Sequence, residues 1–168
     1  MTQEDAKRFA ANAHKGQKHM DDPYTKHLAD VVRVLGEFNI QGDLLIAAWL
    51  HDTLEDTETS MEDLRSKFGP KVAEVVFCVT DEPGKNRQER HTKTYPKIAK
   101  SLEAITLKLA DRIANVRNCW DSRDHRLFMY KKEHKGFRKA LRAVPGSAAT
   151  VSMWKELDNL LGWLEPPK

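Results

Sequence analysis

The stretch Leu44–Asp56, which reads LLIAAWLHDTLED, begins with an apolar run typical of a buried helix and ends in ionisable side chains. An apolar run of seven residues is followed within six positions by four ionisable side chains, namely His51, Asp52, Glu55 and Asp56. Buried charge is costly unless it is paired or binds a metal ion. A neutral imidazole beside a carboxylate suits a borderline divalent cation such as Mn²⁺, Fe²⁺ or Zn²⁺. The stretch therefore predicts half of a metal site, with a hydrogen-bonded His-Asp pair at a helix end as the alternative.

The two acids that follow the doublet extend its helical faces. Residues four apart lie on one face of a helix, so a continuous helix places Glu55 over His51 and Asp56 over Asp52. From there the two carboxylates could orient a water molecule and handle protons. Glu55 and Asp56 are therefore the predicted catalytic residues, with their individual roles left open.

Two further polar residues stand where the helical pattern demands apolar ones. His27 begins the apolar stripe of residues 28–35, and Asp111 interrupts the run Ile105–Ala110. A satisfied histidine near a helix start and a structural ion pair of Asp111 with Lys108 or Arg112 are the alternatives. Together the predicted ligands are His27, His51, Asp52 and Asp111, drawn from three helices. A cation held by these four side chains would have open coordination positions for water and substrate.

The remaining sequence predicts a single all-α domain over residues 1–168, because apolar residues recur with helical period and no segment alternates with period two. Residues 71–80 are β-branched enough to permit a strand, but their context favours helix. The other predicted features are a capping box at Thr2 and Asp5, a polar loop at 15–25, a cap at 59–63, a polar loop at 81–90, long helices at 102–120 and 124–142 ended by Pro145-Gly146, and a last helix that passes through Trp163.

Composition narrows the class of protein. The 168 residues are 40% hydrophobic and 32% charged, an ordinary profile for a soluble domain, and the net charge of +3 is too small to favour nucleic-acid binding. Cys78 and Cys119 have neither metal-site nor disulfide spacing, which favours a reducing cytoplasm. The polar N-terminus is no signal peptide, and no apolar run is long enough to span a membrane.

Several segments in this order resemble the HD-domain hydrolases, and within them the bifunctional alarmone synthetase/hydrolases and the small alarmone hydrolases. The resemblance covers roughly residues 6–118, and an all-α HD-domain helical bundle is the fold that it implies. The matching segments are AHKGQ at 13–17, PYTKH at 23–27, AAWLHDTLED at 47–56, FGPKVA at 68–73, VT at 79–80 and LKLADRIAN at 107–115.

The resemblance implies a manganese-dependent 3′-pyrophosphohydrolase, which converts ppGpp or pppGpp to GDP or GTP and pyrophosphate. No synthetase domain fits in this length, so a protein with the hydrolase activity alone is expected. Its partner would be a small nucleotide substrate. By position, the four predicted ligands match the metal set, and Glu55 and Asp56 match the acid pair. Asn115 matches a residue near the nucleotide sugar and phosphates, although it could instead orient Asp111. Lys108 is either a phosphate contact or a solvated lysine.

The chain departs from the family pattern where the guanine base would be bound. The family usually has an arginine shortly after the Gly-Gln pair, whereas this chain has Lys18-His19-Met20, so Lys18 and His19 are the candidate base contacts. Leu28 replaces a usual proline. The alternatives are an HD phosphohydrolase acting on a nucleoside monophosphate or on a 2′-phosphorylated dinucleotide such as NADPH, and a nucleotide-binding module without turnover. The basic run Lys85–Lys93 is either a solvated surface or a guide for an anionic substrate.

Overall fold

The computed structural model describes residues 1–142 and 146–162. Its helices and strands are α1 Gln3–Ala13, β1 Lys18–His19, β2 Asp22–Pro23, α2 Tyr24–Glu37, α3 Asp43–Leu50, α4 Thr53–Asp56, α5 Met61–Phe68, α6 Pro70–Val79, α7 Arg87–Ile98, α8 Leu102–Ser122, α9 Arg126–Leu141 and α10 Ala148–Leu161. The predicted all-α class is confirmed, because the strands within these described ranges amount to one short hairpin.

The long helix α8 forms the centre of the bundle. It packs against α2 and α10 and also contacts α3, α6, α7 and α9. Its apolar residues Ile105, Leu109 and Ile113 are almost completely buried, as residues at helical spacing on an inward face must be. Because α2 and α3 also pack on one another and on α8, polar residues on their inward faces are brought together.

The local signals at helix starts act as predicted. Thr2 and Asp5 form a capping box before α1, and Ser60 and Asp63 form another before α5. In each case the hydroxyl accepts from the backbone N–H three residues on, while the acid accepts from the cap's own N–H. Gly69, with φ of 87°, ends α5 and turns the chain into α6.

The predicted loop at 15–25 is partly wrong. It contains a two-stranded antiparallel hairpin in which Lys18 pairs with Pro23 and His19 with Asp22. The turn places Met20 at φ of 58°, and α2 begins at Tyr24, inside the predicted loop. Strands of two residues are too short to produce an alternating pattern, which explains why the sequence did not reveal them.

The helix that carries the metal doublet does not continue through it, contrary to prediction. α3 ends at Leu50, His51 follows it with helical backbone angles, and Asp52 adopts φ −100° and ψ −2° before the short α4. The Asp52 carbonyl accepts from the backbone N–H groups of both Glu55 and Asp56. The doublet therefore lies at a break between two helices, and the acid pair is set by a new turn rather than by the faces of α3.

The predicted loop at 81–90 ends earlier than expected, because Asn86 accepts from the Glu89 N–H and starts α7 at Arg87. Most of the basic run Lys85–Lys93 is thereby helical. The predictions for Trp163 and Pro145 fall outside the described residues. Over the described ranges no helix combines the length and apolarity needed to cross a bilayer.

Candidate metal centre

His27, His51 and Asp111 converge in the interior where α2, the end of α3 and α8 meet. Each offers one donor atom, and these atoms lie within 4.8 Å of one another. His27 Nε2 is 3.4 Å from Asp111 Oδ1, and His51 Nε2 is 3.9 Å from the same oxygen. Both imidazole side chains are almost completely buried. Three side chains that are far apart in sequence thus face a single point.

Asp52 completes the set from the helix break. Its Oδ2 lies 3.1 Å from His51 Nε2 and 3.6 Å from His27 Nε2. Donor atoms that lie about 2.1 Å from one ion are roughly 3–4 Å from each other, and the separations of these imidazole and carboxylate atoms fall in that range. The structure thus brings all four predicted ligands to one place.

His51 is oriented for metal binding by its own backbone. Its Nδ1 lies 2.9 Å from the Ala48 carbonyl oxygen, which can only accept, so Nδ1 donates and Nε2 faces the carboxylates. Within the described part of the chain, Nε2 is buried and has no hydrogen-bond partner of good geometry. Either the Asp52 carboxylate, 3.1 Å away, or a metal ion would satisfy a buried nitrogen of this kind. The donor chemistry and this unsatisfied atom therefore fit a divalent cation.

The charges of the site support the same conclusion. Burial lowers the pKa of His51, but the carboxylates of Asp52 and Asp111 outweigh it and raise the pKa to about 9. Burial likewise opposes ionisation of Asp111, yet Lys108 and the imidazoles hold the pKa of Asp111 well below its usual range. A cation that binds at His51 would displace the proton that this raised pKa keeps on the ring, so metal binding here should release a proton.

Asp111 is fixed by two neighbours on α8. Lys108 Nζ lies 3.2 Å from Asp111 Oδ2, and the Lys108 side chain is 18% exposed, so a solvated lysine is the wrong interpretation. The Asn115 amide donates to Asp111 Oδ1 at 2.6 Å and to the Asp111 carbonyl at 3.0 Å. Arg112, the other predicted ion-pair candidate, turns away to Glu133. Asn115 and Lys108 therefore position the Asp111 carboxylate.

The acid pair lies beside the doublet and is held by contacts from distant segments. Glu55 Oε2 accepts the backbone N–H of Asp81 at 3.0 Å, and the Asp56 carbonyl accepts from the Gln17 amide at 2.8 Å. Glu55 is exposed as a residue, but partial desolvation of its carboxylate raises its pKa. A carboxyl group whose pKa lies above the usual value suits proton transfer nearer neutral pH.

Tyr24, Gln17 and Asp81 contact the site but were not among the residues predicted from the sequence, and Tyr24 has the most direct role. Its hydroxyl lies 2.8 Å from Asp52 Oδ2 and 2.6 Å from Asp56 Oδ2, and so joins the metal doublet to the acid pair. The Tyr24 ring stacks on His14 at 4.3 Å between centroids. The spacing of Tyr24, three residues before His27 on α2, could have indicated a shared face. Gln17 and Asp81 gave no comparable signal, because one contact spans 39 residues and the other uses a backbone N–H.

The two candidate base contacts have different positions. The His19 ring stacks on His27 at 4.3 Å between centroids and lines a cavity of about 300 Å³ next to the metal centre. Burial lowers the pKa of His19 to about 4, so the ring is neutral at physiological pH. Lys18 is exposed on β1, and among the described contacts none joins its side chain to the site.

Comparison with known proteins agrees with this geometry. Residues 6–136 match the HD domain family. The guanosine-3′,5′-bis(diphosphate) 3′-pyrophosphohydrolase of Aquifex aeolicus is 31% identical over 160 residues, which are 92% of this chain and 22% of that protein. The enzyme of the same description called MESH1 from Danio rerio is 40% identical over 119 residues, which are 66% of this chain and 64% of that protein. The chain thus spans less than two thirds of these curated relatives.

A solved structure extends the likeness to the whole fold. The structure described as a metazoan ortholog of SpoT that hydrolyses ppGpp superposes with a TM-score of 0.76, at 30% identity, over 96% of each chain. The matched residues 6–136 include the His-Asp doublet and both of the helices that complete the site. The chain therefore belongs to the HD domain family, and guanosine-3′,5′-bis(diphosphate) 3′-pyrophosphohydrolases are among its relatives.

Proposed function

We propose that this protein is a metal-dependent 3′-pyrophosphohydrolase that converts ppGpp and pppGpp to GDP and GTP with release of pyrophosphate. The observation that carries the proposal is the buried convergence of His27, His51 and Asp111 on one point, with Asp52 adjoining both imidazoles. The pyrophosphohydrolase relatives and the shared fold support the choice of substrate.

The cation would be held by His27, His51, Asp52 and Asp111, and we propose Mn²⁺, because a mixture of imidazole and carboxylate donors suits it. A bound divalent cation supplies Lewis-acid polarisation of a phosphoryl oxygen and lowers the pKa of water. The two buried, unpaired thiols of Cys78 and Cys119 support a reducing, cytoplasmic setting.

The chain's own residues would bind and orient the reactants. Glu55 and Asp56 lie beside the doublet, where they would position the attacking water and take up or return its proton. The charge of Lys108 would balance the anionic ligand set and attract a phosphate. His19 would offer a neutral ring to the nucleoside in the cavity beside His27, so it is a better candidate for base contact than the exposed Lys18.

The decisive experiment is a product assay with a panel of phosphorylated nucleotides in Mn²⁺. We expect ppGpp and pppGpp to yield pyrophosphate, and a nucleoside monophosphate and NADPH to yield far less phosphate. Asp111→Ala should abolish both turnover and bound metal. The matched control is Asp43→Ala, because Asp43 is an exposed acid at the start of α3 that pairs only with Lys71 among the described residues.

Each outcome has a defined meaning. Absence of pyrophosphate release by a protein shown to contain metal would overturn the proposed activity. Preferential release of phosphate from NADPH would show that NADPH, and not ppGpp, is the substrate. Tight ppGpp binding without hydrolysis would indicate a binding module. Unchanged turnover in Asp111→Ala would refute the ligand assignment.

A further inference from the structure

The segment of residues 80–83, which follows α6, is held along one face of α7. Four side chains at helical spacing on α7 contact it, namely Arg90, Lys93, Thr94 and Lys97. Each of them contacts a different residue of the segment. Three of the contacts are hydrogen bonds of 2.8 Å, and the fourth is an ion pair at 3.6 Å. The path of this backbone is therefore set by α7.

One peptide unit of the segment lies between a cation of α7 and the acid pair. Lys97 Nζ donates to the Thr80 carbonyl at 2.8 Å. The N–H of the same peptide unit belongs to Asp81 and donates to Glu55 Oε2 at 3.0 Å. A peptide unit is planar, and its C=O and N–H point in opposite directions. A side chain that fixes the direction of the Thr80 C=O therefore also fixes the direction of the Asp81 N–H.

The charges on the two sides strengthen this arrangement. Lys97 is a cation at the carbonyl end of the peptide unit and Glu55 is an anion at its N–H end, so both hydrogen bonds are charge-assisted. Hydrogen bonds in such a chain also polarise one another. Thr80 is the C-terminal cap of α6, where carbonyl groups lack partners within the helix and carry partial negative charge. The Lys97 ammonium satisfies this carbonyl.

Lys97 is itself held in place by the fold. Its side chain is 16% exposed, and its Nζ lies 2.6 Å from Glu82 Oε1. The same Nζ lies 4.3 Å from the centroid of the Phe77 ring. Lys97 does not line the cavity beside His27. Its contacts therefore connect it to the metal centre through the peptide unit and Glu55.

Glu55 depends on this peptide unit for its position. Within residues 1–142 and 146–162, the Asp81 N–H is the only hydrogen-bond partner of the Glu55 carboxylate. Glu55 is an exposed residue of the short helix α4, so packing does little to restrict its side chain. Loss of the hydrogen bond would let the carboxylate rotate into solvent.

We propose that Lys97 is a positioning residue for Glu55: by holding the Thr80 carbonyl it orients the Asp81 N–H, and this N–H fixes the Glu55 carboxylate beside the metal doublet. In the proposed function, on which this inference rests, Glu55 positions the attacking water. Lys97 would then affect turnover from two hydrogen bonds away, without contact with the substrate or the cation.

The first test is steady-state kinetics of Lys97→Met on ppGpp, because methionine keeps the apolar stem and removes the ammonium. A displacement of about 1 Å in a reacting group can cost about a hundredfold in rate, so kcat should fall by about tenfold or more. KM and bound metal should stay unchanged. Lys97→Arg retains a cationic donor and should keep most of the wild-type kcat.

The matched control is Lys93→Met. Lys93 lies on the same face of α7 and also donates to a carbonyl of the segment, but that carbonyl belongs to Pro83, whose peptide unit does not contact the acid pair. Its kcat should stay within about twofold of wild type, since the side chain is half exposed. Glu82→Gln removes the other ion pair of Lys97 while the Thr80 contact remains, so it too should keep most of its activity.

The second test does not depend on turnover. In ¹⁵N–¹H correlation spectra of protein loaded with diamagnetic Zn²⁺, the Asp81 amide proton reports the hydrogen bond to Glu55. Its resonance should move upfield in Glu55→Gln, which removes the charge of the acceptor, and in Lys97→Met. The same resonance should stay in place in Lys93→Met.

An unmoved Asp81 resonance in Lys97→Met would overturn the proposal, as would an unchanged kcat. A fall in kcat that Lys93→Met shares equally would overturn it too, because both lysines would then only hold the segment together. If circular dichroism shows that Lys97→Met does not fold, the double variant Lys97→Met with Glu82→Gln replaces it, since no unpaired carboxylate then remains. Wild-type protein without turnover would refute the hydrolase, and the Asp81 resonance would then decide the role of Lys97 alone.

Discussion

The Tyr24 hydroxyl lies 2.6 Å from Asp56 Oδ2 and, at 2.8 Å from Asp52, also contacts a predicted metal ligand. The hydroxyl has a single proton, so the two carboxylates share one donor. A contact of this kind sets the distance between the acid that would handle protons and the acid that would hold the cation. Tyr24 is therefore expected to act as a positioning residue.

Tyr24→Phe should lower kcat by roughly ten- to a hundredfold, the loss expected for a hydrogen bond of about 1.5–3 kcal/mol to a charged group. Metal content and KM should change little, because all four donor side chains remain. Steady-state kinetics on ppGpp with metal analysis checks both. Tyr95→Phe is the control, since that hydroxyl bonds to Arg112 instead. Loss of metal from Tyr24→Phe would contradict a role limited to positioning.

Asn115→Ala separates two interpretations of that amide. If Asn115 mainly orients Asp111, its removal should weaken metal binding by about 10–100-fold, as for other groups that hold a ligand in place. Turnover at saturating metal should then recover most of its wild-type value. Metal titration followed by kinetics at high Mn²⁺ distinguishes this result from a raised KM for ppGpp at unchanged metal affinity, which would make Asn115 a substrate contact.

Glu55→Gln and Asp56→Asn should each lower kcat by about 10²–10⁴-fold, the usual contribution of a positioned acid or base. Bound metal should remain, because neither residue is a predicted ligand. Desolvation raises the pKa of Glu55 above the usual glutamate value of about 4.3. A limb of the pH–rate profile above that value should therefore disappear in Glu55→Gln and persist in Asp56→Asn. Persistence of the limb in both variants would assign it to another group.

The fold should depend on the Glu133 carboxylate, which is shared by Arg87 and Arg112. Glu133→Gln leaves the buried Arg112 guanidinium without a counter-charge, so the free energy of unfolding at pH 7 should fall by about 3 kcal/mol. Urea denaturation measures this change. Glu89→Gln is the control, since its pair with Lys93 is exposed to solvent and should contribute little to stability.

The stability that Glu133 contributes should depend on pH. Burial alone would raise the pKa of Glu133, but Arg87 and Arg112 outweigh it and lower the pKa. A lowered pKa in the folded state contributes stability above the unfolded value of about 4.3, and this stability is lost as pH falls through the folded pKa. The difference between wild type and Glu133→Gln should therefore shrink in acid. A difference that grows below pH 4 would contradict the ion-pair explanation.

Much of this architecture could be predicted from the sequence, because long helices leave a periodic record. The spacing of apolar residues in α8 reflects its central position, and Asp111 was conspicuous as a carboxylate within an apolar run. His27 on α2 stood out in the same way, as a polar residue at the start of an apolar stripe, so its convergence with Asp111 could be predicted. Resemblance to the HD-domain hydrolases added the order in which the pieces occur.

Other features had no local signature. The break at Asp52 depends on one backbone turn within a sequence whose composition also suits a helix. The hairpin at His19 has strands of two residues, too short to show alternation. The bridge from Tyr24 to Asp56 joins residues 32 positions apart, so only tertiary packing creates it. Pairings of this kind follow from the arrangement of helices and not from the pattern within any one of them.

Two of the predicted ligands are fixed by their neighbours, and this affects how the protein would acquire its ion. His51 donates to the Ala48 carbonyl. Asp111 is held by Lys108 and Asn115. His51 and Asp111 are therefore held in place before a cation arrives, so ordering these two side chains on capture should cost little conformational entropy. One divalent ion should then exchange for another while the chain stays folded, as happens with a rigid chelator.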